Sequence, residues 1–528
     1  MVVPELRPWR AAKPHVVRLA DAVRPRLARA AAAAKPRLAR LARAGKPQVA
    51  KVARPKTWQY TAGAATAGLA LTAGVVTAAG PWDSSGQRTA ERDRAVALGR
   101  AGGTDHGSVP GAPGRPRPAP SAGPVLTGLG GVSTVKSAPD GKALTDALTP
   151  LLKDPALGPR PAAAVIDVTT GRRLFGKAPG TALTPASTTK VATAVAALSA
   201  MGADHRLTTR AALEPDTNEV VLVGGGDPTL TARKSTDGAA SLRTLAAGTA
   251  AALADRGVRE VTLSYDTTRY AGDEMHPIGV DGNLALVTPL MADEGRTNDS
   301  TSGPAQRVTD PAADAARRFG DLLKSHGIKT TAPGPSKATT RAKTLATVSS
   351  PPLSAVVERM LTNSDNDIAE ALARQTAIAT GNRADFAGAG KAIGSQLRKL
   401  GLPVKGAAFE DGSGLNRADR LTPDLLTALL AKAADPSHPE LRPALTGLPV
   451  AGFTGTLTTR YTDGASGVVR AKTGTLSGVH TLAGTLVDED GRLLAFAFMA
   501  TDTDPGRPAA TQQALDRIAS ALAACGCR

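Results

Sequence analysis

Ser187 and Lys190 stand three residues apart in TPASTTKVATAVAAL (184–198), where a long apolar run begins. Residues at i and i+3 share one face of a helix, so this hydroxyl and this amine can touch. A serine hydroxyl becomes a nucleophile beside a base, and a lysine is that base only when neutral. Burial in the Ala/Val run disfavours its charged form. The pair therefore reads as nucleophile and general base of an acyl transfer. The spacing alone says little, because roughly one S-x-x-K match is expected by chance in a chain this long. Ser133 and Lys136 match equally well, but in GGVSTVKSAPDG, with no helix to hold them. For Ser187 the plain alternative is a helix cap, a role serine favours in any protein.

Two further motifs change that balance. LTNSDNDIAEALA sets Ser364-Asp365-Asn366 in a short break between two helical patterns, and VRAKTGTLSGV sets Lys472-Thr473-Gly474 in a strand pattern. Ser364 is suited to relay a proton between Lys190 or Lys472 and a departing amine. Asn366 offers an amide to a substrate peptide group. Lys472 supplies positive charge for a terminal carboxylate and, as a second cation, is expected to depress Lys190 further. Thr473 and Thr475 supply hydroxyls, and Gly474 lets a substrate backbone lie against the strand edge. Asp365 reads as a turn residue and His480 as an ordinary strand residue. Neither a G-x-S-x-G elbow nor an H-E-x-x-H pair occurs, so the serine-elbow and metalloprotease chemistries lack their signatures.

The elements that must position these groups begin near Ala138. A helix is expected at 142–152, a strand at 162–168, and a hairpin closed by RLFGK. Residues 207–300 look different, with EVVLVGGGDPTL, an Ala-rich helix and strand REVTLSYD, and read as an inserted small α/β domain. Helical patterns resume at 310–328 and 353–361. Near the end SGVVRAKTGTL, VHTLAGTLV and RLLAFAFMA alternate with short turns like an antiparallel meander, before a helix at 509–524. The sum is α+β, an antiparallel sheet flanked by helices over 137–206 and 301–528.

The chain has 528 residues and a net charge of +18, with 42% hydrophobic and 3% aromatic residues. Residues 1–56 hold 15 Lys+Arg and 2 Asp+Glu, leaving only +5 for the rest. The charge belongs to a tail, so no specific nucleic-acid partner is expected. That tail repeats every 11 residues, with prolines at 14, 25, 36 and 47. It reads as the positive flank of a membrane segment, or as a patch for anionic lipids. Residues 57–82 carry no charge, and about 20 residues span a bilayer. The expectation is a single-pass anchor with 1–56 cytoplasmic and the rest outside. A leader cleaved before Ala79, giving a secreted protein, is the alternative. Residues 83–136 are a Gly/Pro-rich linker. The two cysteines, Cys525 and Cys527, lie in the terminal CGCR, which leaves free, intermolecular or strained vicinal pairing open. No Cys/His cluster suggests zinc.

S-x-x-K, S-D-N and K-T-G in this order resemble the penicillin-recognising serine enzymes. PASTTK (185–190), LVGGGDPTL (222–230), DGSGLNR (411–417) and RAKTGTLSGV (470–479) extend the likeness. Over about 140–524 the chain resembles the D-alanyl-D-alanine carboxypeptidase/endopeptidases, the class C low-molecular-mass penicillin-binding proteins. That resemblance implies a serine β-lactamase/transpeptidase-like domain, with one of the family's two inserts missing or reduced. It implies an acyl-enzyme on Ser187 and an oxyanion hole from the N–H groups of Ser187 and Thr475. It also implies a substrate side-chain pocket rimmed by Ser413, Leu415 and Arg417. The substrate would be a D-Ala-D-Ala end or D,D cross-link of peptidoglycan stem peptides, with β-lactams as inhibitors and no metal or organic cofactor. The rivals are a β-lactamase, which needs a placed base such as the glutamate of E-x-x-L-N, and a non-catalytic cell-wall sensor. Glu370, Glu410 and Glu440 lie between Asn366 and Lys472, none in that pattern.

Overall fold

The computed structural model describes residues 141–461 and 464–525. The tail, the expected membrane segment, the linker, Ser133, Lys136 and Cys527 lie outside them. Among the described residues no helix is long and apolar enough to cross a membrane.

The chain runs from α1 (Gly141–Leu151) into a hairpin of β1 (Ala162–Asp167) and β2 (Arg173–Lys177). A 3-10 turn, Ala186–Thr188, leads into α2 (Thr189–Met201). Then come β3 (Thr208–Leu213), β4 (Glu219–Val223), α3 (Leu242–Ala254), β5 (Glu260–Asp266) and α4 (Pro311–Ser325). The short strands β6 (Lys329–Thr330) and β7 (Gly334–Pro335) precede β8 (Lys343–Ser349). Helices α5 (Leu353–Asn363), α6 (Asn366–Ala379), α7 (Phe386–Lys399), α8 (Pro423–Ala434) and the one-turn α9 (Pro443–Thr446) follow. Strands β9 (Arg470–Leu476), β10 (Val479–Val487) and β11 (Leu493–Thr501) lead to α10 (Pro508–Ala523).

The first and last parts of the chain build one antiparallel sheet of order β2-β1-β11-β10-β9, with β1 paired to β11 from Ala162↔Met499 to Asp167↔Leu494. The period-2 alternation of β11 sorts its two faces by size. Ala495, Ala497 and Met499 join the core with α2, α5, α6, α7 and α8, while Leu494, Phe496 and Phe498 join the core with α1 and α10. Small residues on the first face let the Ala/Val-rich α2 sink in, so that Thr189 to Leu198 are all buried. The motif residues thus come from the turn and first residues of buried α2, from the junction of α5 and α6, and from the sheet's edge strand, β9.

The second sheet has order β6-β5-β4-β3-β8. Strands β4, β5 and β6 are parallel, linked by crossovers through α3 and α4, and both helices pack on it with Phe319 and Leu323. This is the expected inserted α/β unit, but its expected end at residue 300 is wrong. Helix α4 belongs to its core, and β8 pairs with β3 from Thr208↔Ser349 to Leu213↔Lys343. The polar run ADEGRTNDSTSG (292–303) is part of an excursion between β5 and α4. The GGG of the quoted LVGGGDPTL has a steric reason: a Cβ on Gly225 would lie 1.8 Å from the Thr208 carbonyl oxygen.

Phe496 is fully buried and stacks on Phe498 at 4.9 Å between ring centres. Phe496→Ala is expected to cost about 3–5 kcal/mol. Urea unfolding of the variant checks this; a loss below about 1 kcal/mol would mean that the sheet's large-residue face is not a close-packed core.

Candidate active site

The structure brings S-x-x-K, S-D-N and K-T-G together. Ser187 sits in the 3-10 turn before α2, preceded by Ala186 in the left-handed region at φ 48°. Lys190 lies in the first turn of α2 and is fully buried. Its Nζ is 3.0 Å from Ser187 Oγ, 2.6 Å from Asn366 Oδ1 and 2.7 Å from the Ser413 carbonyl oxygen. A neutral amine has two N–H groups and one lone pair. Asn366 Oδ1 and the Ser413 carbonyl only accept, so they take both N–H groups and leave the lone pair for the Ser187 hydroxyl. Burial lowers the Lys190 pKa to about 8, against the opposing pull of Asp411, Glu370, Asp365 and Asp419. The expected depression by Lys472 does not emerge at Lys190. It works the other way: burial and then the charge of Lys190 push Lys472 well below its usual value.

Ser364 ends α5 in the left-handed conformation, φ 58° and ψ 39°, a cost of order 1 kcal/mol or more for a non-glycine residue. Its Oγ accepts from Lys472 Nζ at 2.9 Å, and Lys472 also donates to the Thr473 carbonyl at 2.8 Å. The Ser364 relay therefore couples to Lys472, while Lys190 pairs with Asn366. Asp365 is more than a turn residue. It caps α6, accepting from Ile368 N, and is buried. Asn366 Nδ2 donates to the Asn283 carbonyl at 3.0 Å, so the excursion between β5 and α4 borders the site.

Gly474 has a packing role in addition to the one expected. A Cβ there would meet Thr481 Oγ1 at 2.1 Å and the Pro185 carbonyl oxygen at 2.7 Å. The glycine is needed because β9 presses against the turn that carries Ser187. Thr473 Oγ1 donates to Thr456 Oγ1 at 2.9 Å, a contact with no warning in the sequence. Thr475 is exposed on β9 opposite His480, which is buried in β10. The loop 411–417 divides. Leu415 packs against the Leu284 and Val287 cluster, and Arg417 Nη2 donates to the Ser477 carbonyl at 2.7 Å. Ser413, expected on the rim, is fully buried beneath the site, where its carbonyl holds Lys190.

Two buried clusters escaped the sequence reading. His276, Glu370 and Asp411 lie under the 411–417 loop, and Glu294, Asp365 and Asp367 lie behind Ser364; in each, ligand-type atoms fall within 4.8 Å of one another. Most of their polar atoms have hydrogen-bond or ion-pair partners. Asp411 bonds His276, Gly414 N and Asn416 N. Glu294 pairs with Arg296 and Arg359, and Asp367 with Arg307. No motif marks His276 or Asn283; Asp411 stands in the quoted DGSG, and Glu370 is one of the three glutamates between Asn366 and Lys472, none in the E-x-x-L-N pattern.

Fold and site define a serine hydrolase with a buried lysine beside its serine. The family model described as the D-Ala-D-Ala carboxypeptidase 3 (S13) family matches residues 144–303 and 296–522, and the chain belongs to that family. It is a serine-type D-Ala-D-Ala carboxypeptidase. It is 35% identical over 429 residues to a carboxypeptidase of Mycobacterium tuberculosis, covering 78% of this chain and 90% of that one. Carboxypeptidase DacB of Mycolicibacterium smegmatis is 36% identical over 431 residues, with the same coverage. Penicillin binding protein 4 of Haemophilus influenzae shares the fold, with a TM-score of 0.57 at 20% identity over 72% of this chain and 97% of that chain.

A role for Lys190 as the base for Ser187 would need the neutral amine, and burial lowers its pKa to about 8. Below pH 8, kcat/KM for D-alanine release is expected to rise about tenfold per pH unit, and to level off above. A pH–rate profile flat from pH 6 to 9 would contradict Lys190 as the base.

Proposed function

We propose that this carboxypeptidase cleaves the D-Ala-D-Ala ends of peptidoglycan stem peptides, and D,D cross-links between them, through an ester on Ser187. The observation that carries the reading is the three-way seating of Lys190 Nζ on Ser187, Asn366 and Ser413. Ser187 Oγ attacks the carbonyl of the penultimate D-alanine while its proton passes to Lys190. The N–H groups of Ser187 and Thr475 receive the oxyanion. Lys472, with Thr473 and Thr475, holds the terminal carboxylate. The C–N bond breaks as the departing amine takes, by way of Ser364, the proton that Lys190 received, which leaves Lys190 neutral again. Water then attacks the ester as its proton passes to Lys190, and Lys190 returns that proton to Ser187 Oγ as the ester C–O bond breaks. A β-lactam enters the same path, but its amine stays tethered to the acyl group.

The β-lactamase reading lacks a placed base among the three glutamates. Glu370 is buried and takes the N–H groups of Gly412 and Ser413, Glu410 is exposed, and Glu440 bonds His438. With labelled penicillin, one adduct is expected, on Ser187, lasting minutes or longer beside measurable D-alanine release from a D-Ala-D-Ala peptide. Mass spectrometry of wild-type and Ser187→Ala protein checks this. Rapid penicillin turnover without D-alanine release would move the chain to the β-lactamases.

We also read residues 57–82 as an anchor that places the enzyme outside the cell membrane, because the basic bias of 1–56 retains that end in the cytoplasm. The full chain is then expected in the membrane fraction. A mature form beginning near Ala79 and found in the medium would show a cleaved leader instead.

A further inference from the structure

His276 comes from the excursion between β5 and α4, far in sequence from every catalytic motif, yet it is fully buried beneath the site. The Ile278 N–H donates to its Nδ1 at 3.2 Å. That nitrogen is therefore the acceptor, the proton sits on Nε2, and Nε2 donates to Asp411 Oδ2 at 3.0 Å. Asp411 in turn accepts from Gly414 N and Asn416 N, each at 2.6 Å. Glu370, 3.9 Å from His276 Nε2, accepts from Gly412 N and Ser413 N. Four backbone N–H groups of the 412–416 loop are thus pinned by two carboxylates, and one of these is pinned by the histidine. The edge of His276 meets the Phe386 ring at 5.2 Å, which closes the far side with an apolar group.

The pinned loop has one output toward the chemistry, the Ser413 carbonyl on Lys190. If that carbonyl moves, the neutral amine loses one of the two acceptors that turn its lone pair toward Ser187. Resting on the reading of Lys190 as the base, we propose that His276 is a positioning residue for it. Through Asp411, the histidine fixes the 411–416 loop whose Ser413 carbonyl orients the Lys190 amine. The inserted unit thereby sets the base of the catalytic domain. The charged groups facing Lys190 are Asp365 and Glu370 from α6, Asp411 and Asp419 from the loop, and Lys472 from β9. Burial pushes Glu370 and Asp419 up, and burial also works against Asp411. The His276 bond and the N–H groups of Gly414 and Asn416 nevertheless hold Asp411 low, so it is the carboxylate kept ionised.

The test is the pH dependence of the acylation rate with labelled penicillin, on the full chain, for wild type, His276→Leu, His276→Gln and Asp411→Asn. Leucine keeps the pocket dry and removes the donor. Its acylation plateau is expected to fall at least about tenfold, and the Lys190 limb to move at least about one pH unit to acid as the ammonium loses its support. Glutamine restores an N–H donor and is expected to stay within about threefold of wild type. Asp411→Asn, which removes the charge at near-constant shape, is expected to show the acid shift as well. An unmoved or alkaline-shifted limb in folded His276→Leu would overturn the proposal, and so would a His276→Gln profile as displaced as the leucine one. If His276→Leu does not reach the wild-type circular dichroism spectrum, Asp411→Asn decides alone. Failure of both to fold assigns the cluster to folding only and overturns the proposal. A wild type that forms no adduct at any pH faults the acyl-enzyme reading instead.

Discussion

The structure depends on the removal of one amine from water. Lys190 is fully buried, and lowering its pKa from 10.5 to about 8 corresponds to a stability cost of order 3 kcal/mol. Because the folded value is the lower one, that penalty is complete below about pH 8 and fades as the pH rises to 10.5. The same cost fits the role proposed for Lys190, since a lysine must shed its proton near neutrality to activate a serine. What keeps the site from collapsing is that each donor and acceptor of the amine has a named partner.

That burial is made possible by small residues. Ala and Val along α2, and Ala483, Ala495 and Ala497 on the facing strands, let helix and sheet approach closely. Gly474 continues this logic at the edge strand, where a methyl group would strike the turn that carries Ser187. Phe175, Phe496 and Phe498 lie on the opposite face of the sheet, away from the chemistry. Close approach, not large side chains, holds the nucleophile.

The inserted unit is bound to this centre by charge. Glu294 pairs with Arg296 and Arg359, and Arg307 with Asp367. Asp367 also takes the N–H of Ala285, two residues from Asn283 and its bond to Asn366. Removing one partner from such a buried pair leaves an uncompensated charge, so the network holds together or fails as a unit. The excursion between β5 and α4 therefore frames Ser364-Asp365-Asn366 as well as the loop under Lys190.

The sequence alone determined the chemistry and much of the frame. Ser187, Lys190, Ser364, Asn366 and Lys472 were legible because fixed local spacings present them, and the meander before α10 because alternation reports a half-buried strand. Three matters were decided only in three dimensions. The insert ends at β8, since a strand's partner 135 residues away leaves no local mark. Ser413 faces inward and Gly474 serves packing, because a backbone carbonyl or a missing Cβ acquires meaning only from what lies against it. His276 carries no motif at all: a histidine pairs with Asp411 by distance in space, which one-dimensional spacing does not encode.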